Sequence, residues 1–150
     1  MTLNNIFNPL MILLLRSPLH ILASKNTLLI TFTGLKSGKS YTTPVNYALD
    51  GDIIYIVSQR DRTWWRNLRG SAEVSLRLLD RNLAATGEVI EDHENVVKQL
   101  TDYLKKVPQY ARYFKVRFDP EGQPNPEDVA QASRDRIMIS LRFNKPAAKT

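Results

Sequence analysis

The chain contains no cysteine, which excludes disulfides, thiolate metal sites and cysteine nucleophiles. It has only two histidines, His20 and His93, too few for a multi-histidine metal centre. Long apolar runs are missing as well. The stretch from Pro9 to Leu15 falls far short of the ~20 residues that a membrane span requires. The N-terminus has no basic segment and no small-residue cleavage site, so no secretory signal is expected. No repeat or low-complexity tract interrupts the 150 residues, which read as one domain, 1–150, large enough to bury a core.

What is present is an excess of basic residues, +6 net, favouring an anionic partner: a phosphorylated cofactor, anionic lipid or nucleic acid. Arg60, Arg62, Arg66 and Arg69 crowd one short segment, whereas acids gather at 88–94 and 119–128. Residues 1–26 read as an apolar, amphipathic helix that is broken near Pro18 and folds back on the core. The other reading lays that helix in a membrane surface, with Arg16, His20 and Lys25 at the headgroups. Either way the expected location is cytoplasmic, in the second case peripheral at the inner face of the membrane.

The short run "TLLITFT" (27–33) is rich in β-branched and aromatic residues and predicts a strand. A turn over Gly34–Lys39 follows, then a strand over 40–49 in which Pro44 implies an edge or a bulge. Asp50–Gly51 predicts a hairpin into a strand over 53–58. Residues 62–70 read as a short helix closed by Gly70. Strands follow over 73–79, with Val74, Leu76 and Leu78 on one face, and over 83–92, with Gly87 as a bulge or bend. From residue 93 the period becomes helical: Val96, Val97, Leu100, Tyr103, Leu104 and Val107 share a face, and Asp92 is the N-cap. A second helix or turn over 108–119, a loop over 120–126, a short helix over 127–135 and a last strand over 136–143 complete the chain. Residues 145–150 are expected to be a flexible tail. This order predicts an α+β fold, a small antiparallel barrel with helices packed outside.

Three groups could carry chemistry, and each has a structural alternative. The turn "GLKSGKSYTTP" can aim backbone N–H groups at a phosphate, with Lys36 and Lys39 for charge and Ser37 and Ser40 as donors. Alternatively it is a hairpin whose lysines are solvated. "SQRDRTWWRNL" sets Trp64 and Trp65 beside Arg60 and Arg62, which suits a phosphate next to a flat ring; the alternative is an arginine surface with the tryptophans plugging the barrel. In a helix the two tryptophans diverge by about 100°, placing one inside and one nearer a groove. Tyr103, Tyr110 and Tyr113 either cover a planar ligand or pack on the barrel, the last two sharing a helical face.

In the order "TGLKSGKSYTTP", "LDGDIIYIVS" and "WWRNL", the chain resembles the deazaflavin-dependent nitroreductase (quinone reductase) family, from about Leu28 to Ile90. The resemblance implies an antiparallel split β-barrel of the FMN-binding type. It also implies an oxidoreductase that binds the deazaflavin coenzyme F-420 and passes a hydride to a quinone, nitro compound or other conjugated acceptor. On this resemblance Lys36, Ser37, Gly38 and Lys39 hold the phosphate, with Thr43 and Pro44 on the following strand. Ser58 lies near the ring, Trp65 and Asn67 belong to the Trp-Asn-Leu element, and Tyr110 and Tyr113 line the acceptor side. Leu35 and Tyr41 stand where the family carries arginines, so Arg60 and Arg62 are expected to restore that charge. A homodimer is implied as well. The alternatives are a split barrel holding FMN, haem or a lipid, and a basic nucleic-acid-binding module in which the tryptophans stack on bases.

Overall fold

A computed structural model describes residues 27–78 and 81–144. The expected N-terminal helix over 1–26 and the tail over 145–150 lie outside the described residues. Among the described residues no helix is long and apolar enough to cross a membrane.

Seven antiparallel strands form one sheet. They are β1 (Thr27–Thr33), β2 (Ser40–Asn46), β3 (Ala48–Asp50), β4 (Ile53–Gln59), β5 (Ala72–Leu78), β6 (Arg81–Ile90) and β7 (Arg136–Phe143), with spatial order β2-β1-β5-β6-β7-β4-β3. Strands β2 and β3 are at opposite ends of that order, yet only Tyr47 separates them in the chain. Two residue steps span at most about 7 Å, so the sheet must curl until its two edges nearly meet. The result is a barrel that fails to close, because among the described strands β2 bonds only to β1 and β3 only to β4. The predicted strand over 40–49 is thus two strands, broken where the chain passes from one edge to the other.

Strand pairing sorts the side chains. Leu28 faces Val45, Ile30 faces Thr43 and Phe32 faces Tyr41 across the β1–β2 ladder. Leu28, Ile30 and Phe32 belong to the barrel core with Ile54, Ile56, Trp64, Trp65, Leu76, Ile137, Ile139 and Leu141. A second core covers the outside of β7 and β4. There Val96, Leu100, Tyr103 and Leu104 of helix α1 (His93–Lys106) and Val129 and Ala132 of helix α2 (Pro126–Ser133) pack with Met138 and Ala48. Asp92 caps α1 by accepting from the Asn95 amide at 3.1 Å, as its sequence position implies. Asn125 does the same for α2 through Asp128 N at 3.0 Å.

Two local expectations are corrected. The segment over 62–70 is a five-residue 3-10 helix, Trp64–Leu68, whose C-cap is Arg69 in an extended conformation, with Gly70 one residue beyond. Gly87 is no bulge: it pairs in continuous register with Ala72 and Leu141. A Cβ there would come within 2.9 Å of Leu141 Cδ2, so the glycine leaves room for the Leu141 side chain in the barrel core. The segment after α1 is a 3-10 turn, Pro108–Tyr110, followed by turns through Lys115 at φ 59°.

Candidate functional site

The opening in the barrel follows from strand lengths. Strand β3 has three residues and covers β4 only from Ile53 to Tyr55. Among the described residues the rest of β4 therefore has no paired strand on that side, and β2 has none beyond its own outer edge. A groove of about 810 Å³ occupies this gap. It meets three consecutive residues of β2, Pro44 to Asn46, and three of β4, Val57 to Gln59. Successive strand residues point to opposite faces, so contact with an unbroken triplet means that the groove runs along the strand edges. Open edges present backbone N–H and C=O groups, which suit the polar rim of a flat heterocycle. Pro44 is tolerated on β2 because an edge strand needs no donor there.

The far wall is aromatic. Tyr103 comes from α1, whereas Tyr110, Tyr113 and Phe114 come from the turns that Pro108 starts by ending the helix. Tyr103 stacks on Tyr110 at 6.3 Å between ring centres, and Phe114 meets Tyr103 and Tyr113 edge-on at 6.3 and 5.2 Å. Trp64 closes one end, held against Phe32 at 5.8 Å. Burial pushes the phenol pKa values of Tyr103, Tyr47 and Tyr110 upward, and negative charge on Tyr110 would raise the other two further. These phenols stay protonated throughout the physiological range, which leaves each hydroxyl able to donate a hydrogen bond.

The predicted residues fall into two sets. Pro44, Ser58, Arg62, Tyr110 and Tyr113 line the groove, together with Trp64 and Tyr103, which the sequence offered as candidates beside a planar ligand, and Arg136, which it did not single out. Ser58 is buried, and its hydroxyl donates to the Gln59 carbonyl at 3.2 Å. The others lie elsewhere. Thr43 is buried and faces the barrel interior beside Ile30. Arg60 reaches two backbone carbonyls, Glu91 O at 2.6 Å and Arg136 O at 3.2 Å, and ties β4 to β6 and β7. Trp65 is 1% exposed in the barrel core, with Arg66 and Arg69 over its ring at 5.5 and 5.1 Å. Both tryptophans are buried, yet of the two only Trp64 also lines the groove, so the expected division holds in that respect.

The basic turn stands apart from the groove. Lys36, Ser37, Gly38 and Lys39 are exposed, and Pro44 follows Lys39 by a stretch of roughly 16 Å along β2. The turn is a built structure: Gly38 has φ 69°, a conformation that glycine adopts without strain, and its N–H bonds Gly34 O at 2.9 Å. The Ser37 hydroxyl takes the Lys39 amide at 3.2 Å and exchanges a 3.0 Å bond with the Tyr41 hydroxyl. Tyr41, which stands where the family has arginine, thus braces the loop. Asn67 joins turn to groove: its side-chain oxygen accepts from Leu35 N at 2.9 Å, and its amide donates to Trp64 O at 2.9 Å.

A family model described as F420H(2)-dependent quinone reductase matches residues 19–117. The F420H(2)-dependent quinone reductase of Mycobacterium tuberculosis (strain H37Rv) is 26% identical over 95 residues, covering 60% of this chain and 55% of that protein. The chain spans about half the length of the curated relatives it matches. Among solved structures, an F420-H2 dependent reductase superposes with a TM-score of 0.50 at 21% identity, covering 77% of this chain and 94% of that one. An FAD and haem binding protein from Mycobacterium smegmatis gives 0.51 at 13% identity, over 85% and 69%. At these identities the solved structures speak for the split-barrel fold alone.

Proposed function

Because the chain belongs to the F420H(2)-dependent quinone reductase family, with 19–117 matched, we propose that it is a deazaflavin-dependent oxidoreductase that reduces a quinone or related conjugated acceptor. The observation that carries the reading is the groove in the barrel split. Its volume, about 810 Å³, lies within the range of cofactor and drug-sized sites, and its walls combine aromatic faces with a few polar groups. When bound, the reduced deazaflavin supplies the hydride.

The chain's own residues do the rest. Pro44, Val45 and Asn46 on one edge and Val57 and Ser58 on the other form a slot for the ring. Lys36 and Lys39 have no ion-pair partner among the described residues, so their charge is available to the anionic tail beyond the groove. Tyr103, Tyr110 and Tyr113 bound the acceptor side, and the Tyr110 hydroxyl is a protonated donor for a carbonyl oxygen. No side-chain nucleophile is needed for hydride transfer, which agrees with a chain that lacks cysteine. A homodimer and a cytoplasmic location belong to the same reading.

The test is a side-by-side titration of purified protein with coenzyme F-420 and with FMN, followed by oxidation of the reduced coenzyme with a naphthoquinone. Saturable deazaflavin binding with quinone-dependent turnover supports the proposal. Tight FMN binding without deazaflavin binding refutes it in favour of a flavin carrier.

A further inference from the structure

Arg136 is the first residue of β7, half-buried, and it lines the groove beside Phe114. Two contacts orient it. Its Nη1 donates to the carbonyl of Ala132 at 2.9 Å, in the last turn of α2, and its guanidinium sits over the Phe114 ring at 4.8 Å. Phe114 is itself wedged between Tyr103 and Tyr113. The cation is therefore a fixed part of the aromatic wall.

Other arginines of the molecule are neutralised or occupied. Arg69 makes a two-pronged pair with Glu91 and Arg117 another with Asp128, while Arg60 is bound to backbone carbonyls. No carboxylate pairs with Arg136 among the described residues. Of its five N–H donors, those on Nε and Nη2 have no partner within the described residues. Asp61, Arg62 and Arg136 are the charged residues of the lining, leaving an excess of one positive charge.

We propose that Arg136 makes the groove selective for acceptors that carry a carboxylate or comparable anionic substituent. The inference rests on reading the groove as the acceptor site. A neutral quinone would gain an ordinary polar contact there, whereas a carboxylate gains a charge-assisted and potentially two-pronged bond. Because packing already orients the guanidinium, little side-chain freedom is lost on binding. Its place over Phe114, among the tyrosines that bound the acceptor side in that reading, assigns the charge to the acceptor.

The experiment compares a naphthoquinone carboxylate with its methyl ester, binding each to the protein and reading tryptophan fluorescence, since Trp64 forms part of the wall. Wild type should bind the carboxylate about tenfold more tightly than the ester, the lower end for a charge-assisted bond in a half-open groove. In Arg136→Gln the ratio should fall toward one, and in Arg136→Lys, which keeps charge but not the fork, it should be intermediate. Equal affinity of wild type for the two probes overturns the proposal even if neither variant folds. A ratio retained in Arg136→Gln, with coenzyme affinity lost instead, also overturns it. Coenzyme binding is titrated separately. A preserved carboxylate preference in a protein that ignores the deazaflavin would support this inference while ending the reductase reading.

Discussion

Asn67→Ala tests whether the basic turn and the groove act as one site. The Asn67 side chain makes two hydrogen bonds of 2.9 Å, one to the turn at Leu35 N and one to Trp64 O in the groove's end wall. A typical intramolecular bond contributes about 0.5–1.5 kcal/mol net, and Leu35 is exposed enough for water to take over its N–H. Removing both bonds should therefore destabilise the fold by about 1–2 kcal/mol. For a chain of this size that corresponds to a fall in Tm of roughly 2–8 °C. If the proposed site is right, coenzyme affinity should drop further than this modest loss implies, because the basic turn loses its tether to the end wall of the groove. Calorimetric Tm and coenzyme titration at a temperature well below unfolding separate the effects. A lowered Tm with unchanged coenzyme affinity would refute the coupling and leave Asn67 as a purely structural pin.

Three further outcomes follow from the same geometry. Lys36→Ala should weaken coenzyme binding about tenfold by removing a charge-assisted contact, with Tm nearly unchanged because the lysine is exposed; unchanged affinity would remove Lys36 from the site. Trp65→Ala should do the reverse. It deletes a ring that is 1% exposed, costing about 3–5 kcal/mol and lowering Tm by roughly 6–20 °C, with little effect on affinity in the folded fraction. Loss of affinity matching that of Lys36→Ala would place Trp65 in the binding site. Finally, Tyr103, Tyr47 and Tyr110 have raised pKa values in the folded protein, so the unfolded chain loses these protons first. Their contribution is complete below about pH 10, the unfolded value, and fades as pH climbs toward the folded values. Melting temperature should fall above that pH, with part of the phenolate absorbance appearing only on unfolding. Full titration of every tyrosine in the native state near pH 10 would contradict the burial argument.

The sequence by itself determined the local structure, because alternation, helical period and turn chemistry are short-range properties. The strand in "TLLITFT", the Asp50–Gly51 hairpin, the Asp92 cap and the face formed by Val96, Leu100, Tyr103 and Leu104 are all present where spacing placed them. It also exposed the family through the order of its turn, hairpin and Trp-Asn-Leu segments, which lie within the matched region 19–117. What it could not determine depends on distant strands. Whether β2 runs on past Asn46 or changes edge at Tyr47 depends on how far the whole sheet curls, and that curl opens the groove. Arg60 and Arg62, two positions apart in the basic segment, part company in space: the first is bound to the carbonyls of Glu91, just past β6, and Arg136 of β7, the second lines the groove. Arg136 is 74 residues from Arg62 along the chain, and β7 alone brings it to the same cavity. Tertiary packing chose which cations reach a ligand, because a guanidinium's partner is set by what the folded backbone puts within hydrogen-bonding distance.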